Sequence, residues 1–461
     1  YPMLSYSGKA ELINGIPSAK ILFTPYIYDP QNKSLTYIQK AIIEIKIEGK
    51  GKPERLSRGW YDIIFRENFP GYQGIILQEE TKKQLNPFSQ ATLWFQIKIL
   101  DEGLYSISYK DLEKAGLPYP VENFRMALFS RKSDTLPSSP FDSVTQLVKI
   151  PIEIIDKNHN NVFDGDDEIR FYTKSTKGIR NNLTGFENAE SLIISRFSYF
   201  DNPYTDTFVL WLGIGSEPER IMERNLAFTN IVSTLTTYYH HEKNIQNVAW
   251  KGLLWVGEEI LRTSGNQSAE ITFNINLENI GSPEGYVRLR YSGGENLTRS
   301  LKAVFNGVDS VIDASFYGYA LRTKQFYFRS AGTNNSLKIE IYGGNTNNTD
   351  RVYLDYFTIF YKKYTQNLSD EVAIYTSTDT TLAKIPISKN LIAVFDITNP
   401  LNPVKLTKAE INSAFFISDS LYPGKVYYFA STLKKPAKIE LAIKAGNLYE
   451  LNTNPDYIAI T

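Results

Sequence analysis

The chain contains no cysteine. That excludes disulfides, thiolate metal sites and a cysteine nucleophile within these residues. It leaves the compartment open. Histidine is nearly as scarce, with only His159, His240 and His241, so imidazole chemistry has few candidates. Lysine plus arginine balances aspartate plus glutamate at 50 each, so no net charge argues for nucleic acid or an anionic membrane as partner. No run of about 18 apolar residues occurs, and no transmembrane segment is expected. No glycine-rich loop follows a strand and opens a helix, and no Gly-x-Ser-x-Gly elbow is present, so nucleotide binding and serine hydrolysis lack support. No signal peptide is visible, and a chain opening on Tyr1 reads as a mature or cropped product.

What is plentiful points to sheets. There are 31 Tyr and 26 Phe against 3 Met, a balance that favours pleated, half-buried surfaces over helices. A length of 461 residues suggests roughly three or four domains. The expected fold class is mainly β, with several β-sandwich or jelly-roll modules in series and a few short helices. The first module covers residues 1–92. In it Asp29, Pro30, Gln31 and Asn32 signal a turn, and Ile43, Ile45 and Ile47 alternate with Glu44, Lys46 and Glu48 as a strand with one buried face. The second covers 93–225. Residues 93–108, LWFQIKILDEGLYSIS, read as a hairpin turning at Asp101, Glu102 and Gly103. Ser108 and Asp111 then form a capping box for a short helix through Lys114, stopped by Gly116. Longer alternating strands parted by Gly293-Gly294 and Asn306-Gly307 make residues 226–365 a jelly-roll sandwich, and 366–446 a last small sandwich.

Residues 147–172, LVKIPIEIIDKNHNNVFDGDDEIRFY, carry the most specific polar pattern. Asp156, Asn158, Asn160, Asp164 and Asp167 stand at relative positions 1, 3, 5, 9 and 12, with the Val162 carbonyl available at 7. Hard oxygen donors on alternate residues let a curling backbone wrap one Ca²⁺. The flanks read as strands, so this would be a calcium loop tying two strands rather than an EF-hand. Asn161 replaces the usual Gly at position 6, and Asn is the next-best residue for positive φ. Asp167 at position 12 is shorter than Glu and weakens bidentate closure. The bland alternative is a solvated acidic turn.

Residues 238–244, YYHHEKN, set His240 and His241 beside Glu242. Neighbours on a strand face opposite sides, so the two rings cannot easily share one zinc, and a rim or contact role is the better reading. Trp250 and Trp255 could stack a sugar, while sandwich core is the plainer role. Glu258 and Glu259 diverge for the same reason as the histidines, which counts against a glycosidase pair.

Several stretches together resemble the N-terminal region of gingipain-type cysteine peptidases, the type IX secretion sortase among them. They are TPYIYDP (24–30), EGLYSISYKDL (102–112), NNVFDGDDEIRFY (160–172), HEKN (241–244) with WVGE (255–258), and VFDITNP (394–400). DYIAIT (456–461) is similar to the first strand of that family's caspase-like catalytic domain. The first of these departs slightly from the family's propeptide pattern. The resemblance implies a propeptide-like first domain and accessory β domains, with 447–461 as the first strand of a truncated catalytic domain. Catalytic His and Cys would lie beyond it, so no catalytic residue carries over to this chain. It further implies a secreted or bacterial surface protein, associated with the outer membrane. Its partners would be its own downstream catalytic domain and a protein substrate or cell-surface component. The alternative is a carbohydrate- or surface-binding adhesion protein with no peptidase activity.

Overall fold

The computed structural model describes residues 4–6, 11–13, 16–18, 21–38, 87–132, 147–181, 190–248 and 255–442. The 42–47 run, Trp250 and the 447–461 segment lie outside them. The chain divides into two compact units, Tyr1–Lys82 and Lys83–Thr461, where the sequence pattern placed the first boundary at 92.

The first unit holds short antiparallel pairs: Leu4–Tyr6 with Ile21–Phe23, Glu11–Ile13 with Ile16–Ser18, and Tyr26–Asp29 with Ser34–Tyr37. The turn signalled by Asp29 is real. Its Oδ1 accepts the Gln31 N–H at 2.9 Å, and Lys33 takes positive φ to close the reversal. The strand it leads into is Ser34–Tyr37, just after the turn.

The second unit begins with two packed sheets. Five strands lie in the order Leu147–Ile150, Met126–Arg131, Phe208–Ile214, Leu93–Ile99 and Lys438–Leu441, and three in the order Glu153–Ile155, Glu168–Thr173 and Gly103–Ser108. Phe95, Ile97 and Ile99 project from one face of Leu93–Ile99, fully buried, into a core shared with Ile107, Ile169 and Phe171 of the other sheet. Residues 93–108 are therefore not a hairpin. Leu93–Ile99 pairs with Phe208–Ile214, and Gly103–Ser108 with Glu168–Thr173. The Asp101 turn carries the chain across the core from one layer to the other, because each strand buries more apolar surface between sheets than side by side.

The Tyr109–Lys114 helix follows with both halves of its capping box formed: Ser108 Oγ accepts the Asp111 N–H, and Asp111 accepts the Ser108 N–H at 2.9 Å. Gly116, at φ 108°, ends it. A second helix, Glu190–Ser195, has no counterpart in the sequence expectations. Its Ile194 carbonyl and that of Phe197 accept from the buried Arg288 guanidinium, which lies far along the chain.

A ten-stranded sheet forms the rest of the scaffold, beginning with Met222–Arg224 and passing through Val404–Leu406, Ala393–Asp396, Val426–Ala430, Glu371–Ile374, Thr234–Glu242, Asp350–Tyr364 and Ile280–Gly293 to Leu321–Phe328, with Glu259–Arg262 as the tenth strand, paired with Asp350–Tyr364. It draws strands from both sides of residue 365, so the jelly-roll segment and the last segment share one hydrogen-bonded layer. Ser268–Asn276, Asn334–Tyr342, Thr298–Phe305 and Asp309–Tyr317 make a four-stranded sheet against one end. Thr381–Ile387, Ala414–Leu421 and Ala409–Ile411 make a three-stranded sheet whose apolar residues join a core with the other end. Asp350–Tyr364 is central and buried on both faces, with Phe357, Ile359 and Phe360 all at 0% exposure, which is why apolar and aromatic residues occupy both faces through its middle instead of alternating with polar ones.

Buried charges tie this layer together. Asp396, from the 394–400 motif, accepts the Thr398 N–H and hydroxyl through Oδ1 and Arg224 Nη1 through Oδ2 at 3.0 Å. Asp419, fully buried, accepts Arg224 and the Tyr427 hydroxyl at 2.9 Å each and is ion-paired with Lys425. The motif's aspartate is thus explained as a structural anchor.

Candidate functional site

The 156–167 loop joins Glu153–Ile155 to Glu168–Thr173, two strands paired antiparallel, as the sequence pattern predicts. Within it Val162–Phe163 is laid against Val121–Glu122, and Phe163 is buried. Asn161 has φ 61°, so the substitution for Gly at position 6 keeps the left-handed turn, and His159 and Gly165 are also left-handed.

Four of the predicted ligands converge. Asp156 accepts the Asn161 N–H at 2.8 Å, the Asn160 N–H at 3.3 Å and the Asn123 amide at 2.9 Å. Asp164 accepts the Asn158 and Asn160 side-chain amides at 2.9 Å each. Asn160 Oδ1 accepts the Val162 N–H at 2.7 Å. Desolvation is the largest single influence on Asp156 and raises its pKa, but the N–H groups of Asn161, His159 and Asn160 together outweigh it and the net shift is downward. The carboxylate is thereby kept ionised, as a cation ligand must be.

Asp167 is placed differently. It is 1% exposed, and its two oxygens accept the Lys157 N–H at 2.8 Å and the Asp164 N–H at 3.1 Å. Each of its oxygens keeps one further lone pair beside the backbone N–H it accepts. Among the described residues no three His, Asp, Glu or Cys side chains converge as a metal group. The fit to Ca²⁺ therefore depends on mixed donors: two carboxylates, two amides that must each present oxygen instead of nitrogen, and a carbonyl.

The second polar site is a cleft of about 580 Å³ over the ten-stranded sheet. Thr234–Glu242 contributes Glu242, Asp350–Tyr364 contributes Asp355 and Tyr356, and Ile280–Gly293 contributes Arg290. Phe197–Asp201 adds Tyr199 and Asp201, and the HEKN and WVGE segments add Asn244 and Trp255. His240 forms the wall behind them. Its ring stacks on Tyr199 at 3.4 Å, Nδ1 meets Thr358 Oγ1 at 2.8 Å and Nε2 meets Glu242 at 3.0 Å. Burial lowers the His240 pKa despite Glu242, so the ring is held neutral near pH 7.

His241 faces the other way, hydrogen-bonded to Glu258 at 2.8 Å and stacked on Phe357. The two imidazoles do not share a metal, as strand alternation requires. Glu258 and Glu259 diverge too, since Glu259 pairs with Arg351 at 2.9 Å.

In the cleft, Lys177 lies 3.4 Å from both Asp201 and Asp206. Arg290 is ion-paired with Asp355 and sits over the Tyr356 ring at 5.4 Å. The angle between the paired groups gives neither Arg290 Nε nor Asp355 Oδ2 a hydrogen bond. Burial, opposed by Arg290, pushes the Asp355 carboxyl up to about 6, and burial also raises Asp201. Sequence reading found Glu242, Asn244 and Trp255 but missed Tyr199, Asp201, Arg290 and Asp355. Those come from strands far apart in the chain, and no local spacing announces them.

No family model matches the sequence, and no curated protein matches it. Among solved structures the chain is similar to dimeric latent PorU from Porphyromonas gingivalis, at 14% identity and a TM-score of 0.53, over 77% of this chain and 33% of that one. It is also similar to the carbohydrate-binding module CBM36 in complex with calcium and xylotriose, at 12% identity over 28% of this chain and 99% of that one, but a TM-score of 0.18 gives that likeness no weight. The likeness to PorU is one of fold, and the chain spans about a third of PorU's length.

Proposed function

We propose that this chain is the non-catalytic N-terminal region of a larger secreted or surface cysteine endopeptidase of the gingipain type, with a role in type IX secretion. The observation that supports this reading is the fold likeness to PorU over 77% of the chain. It agrees with the order of the motifs along the sequence. The reactive thiol cannot come from these residues, which contain no cysteine. Residues 1–92 act as a propeptide-like cover for the downstream catalytic domain. The 226–365 and 366–446 segments scaffold that domain and meet a protein substrate or the cell surface. Residues 447–461 enter the catalytic domain as its first strand.

The 156–167 loop holds Ca²⁺ in this reading, through Asp156, Asn158, Asn160, Asp164, Asp167 and the Val162 carbonyl. Asp167 is the weakest of the set, because it is shorter than the Glu usual at that position and is buried, at 1% exposure. The ion's part is to staple two strands, and no chemistry is assigned to it.

Two measurements test the reading. The coding sequence past Thr461 is expected to supply a His followed by a Cys in an α/β domain; further sandwiches or a stop codon retire the proposal. In the full-length protein, removal of residues 1–92 is expected to raise peptidase activity, and unchanged activity removes the covering role.

A further inference from the structure

The cleft beside His240 is unused by the peptidase reading, and its chemistry is selective. Trp255 and Tyr204 line it while 47% and 60% exposed. Water is a poor neighbour for such rings, and a ligand with an apolar face would cover them. The remaining walls are polar and charged, so a wholly apolar ligand is excluded. A ligand offering C–H faces together with a rim of hydroxyls satisfies both surfaces. Sugar rings have this construction.

The charges narrow the choice. Four carboxylates line the cleft, Asp201, Asp206, Glu242 and Asp355, against two cations, Lys177 and Arg290. An anionic ligand would meet net repulsion. A cationic ligand would compete with Lys177 for Asp201 and Asp206 and with Arg290 for Asp355, and would find only Glu242, bonded to a neutral His240, without a cation of its own. An uncharged polyol needs neither. Its hydroxyls donate to carboxylate lone pairs left over after those contacts. The volume of about 580 Å³ falls within the range of small-ligand sites, roughly 300–1,000 Å³.

We propose that this cleft binds a neutral oligosaccharide, one ring lying on the Trp255 indole and its hydroxyls reaching the Asp201, Glu242 and Asp355 carboxylates. The ring of Tyr204, 60% exposed, extends the platform. The site does not depend on a downstream peptidase, so either claim can fail alone.

Isothermal titration of the whole 461-residue chain tests it with cellotriose, mannotriose and N-acetylated chitotriose. Trigalacturonate and trilysine serve as charged comparators. At least one neutral trisaccharide is expected to bind more tightly than either comparator. Trp255→Ala should weaken that binding about tenfold or more, as loss of an aromatic contact does. Trp255 is half exposed, so this variant should melt with the parent, and Tyr204→Ala gives a second exposed test with the same expected direction. The proposal is overturned by neutral affinities all weaker than about 1 mM, by tighter binding of trilysine or trigalacturonate, or by unchanged affinity in both variants.

Discussion

In the 156–167 loop, nearly every polar side chain is held by groups a few residues away. Asp156 takes the amides of Asn160 and Asn161, Asn160 takes that of Val162, and Asp164 takes the side chains of Asn158 and Asn160. In the cleft the reverse holds. Tyr199 stacks on His240, Arg290 meets Asp355, and His240 reaches Thr358, each across a strand boundary. The loop can form its own bonds as soon as its two flanking strands pair. The cleft does not exist until the ten-stranded sheet is complete. Local closure costs little chain entropy, and distant closure must be sustained by packing. The loop should therefore respond to changes in itself, and the cleft and the Arg224–Asp419 ion cluster to changes in the sheet.

The largest test of that contrast is Asp419→Ala. It leaves Lys425, 2% exposed, and Arg224 with Asp396 as the one carboxylate of the cluster, beside the Ser420 carbonyl that Lys425 also reaches. Breaking such a buried pair is expected to lower stability by about 3–5 kcal/mol, read by urea denaturation of the second unit. A loss under about 1 kcal/mol would mean the cluster is solvated and the contrast overstated.

Next in size is calcium. EDTA is expected to lower the melting temperature, by an amount equivalent to about 2.7 kcal/mol when Ca²⁺ stands hundredfold above its dissociation constant. In Asp156→Ala the difference between EDTA and Ca²⁺ should vanish while the sheet core still melts cooperatively. An EDTA effect that survives the substitution places the ion elsewhere.

A smaller effect probes the cleft through pH. Asp355 titrates near 6 in the folded chain against an ordinary 3.8. The folded state therefore holds this proton more tightly than the unfolded state. Its contribution favours folding below about 3.8, declines as pH rises, and is lost above about 6. Asp355→Asn is expected to remove that slope, so the stability difference between variant and parent changes between pH 4 and 6 and is flat above about 7. A constant difference across the whole range would show Asp355 to be solvated.

The smallest is Ser108→Ala at the helix cap, about 1 kcal/mol, with no change in calcium response. It measures a bond confined to four residues and gives the scale for a purely local contact.

Legibility followed the same division. The capping box of Ser108 and Asp111, the turn at Asp29 and the left-handed Asn161 were readable because each requirement is met within a few residues. The split of 93–108 between two sheets was not, since two alternating runs around a turn look the same whether they pair or separate. The Glu190–Ser195 helix was also missed. Its end is held by Arg288, a partner nearly a hundred positions later. Of the cleft, the sequence showed Glu242 and Trp255 as motif residues but not the Asp355 and Arg290 that face them.

Alternation of apolar and polar residues, aromatic abundance and turn chemistry were enough to determine a β-built chain with an oxygen-rich loop between two strands. Which strands lie side by side, and so which charges become buried neighbours, was decided by the folded sheets alone. The reason is physical: periodicity states which face of a strand is buried, while the choice of neighbour depends on competing packings summed over the whole core.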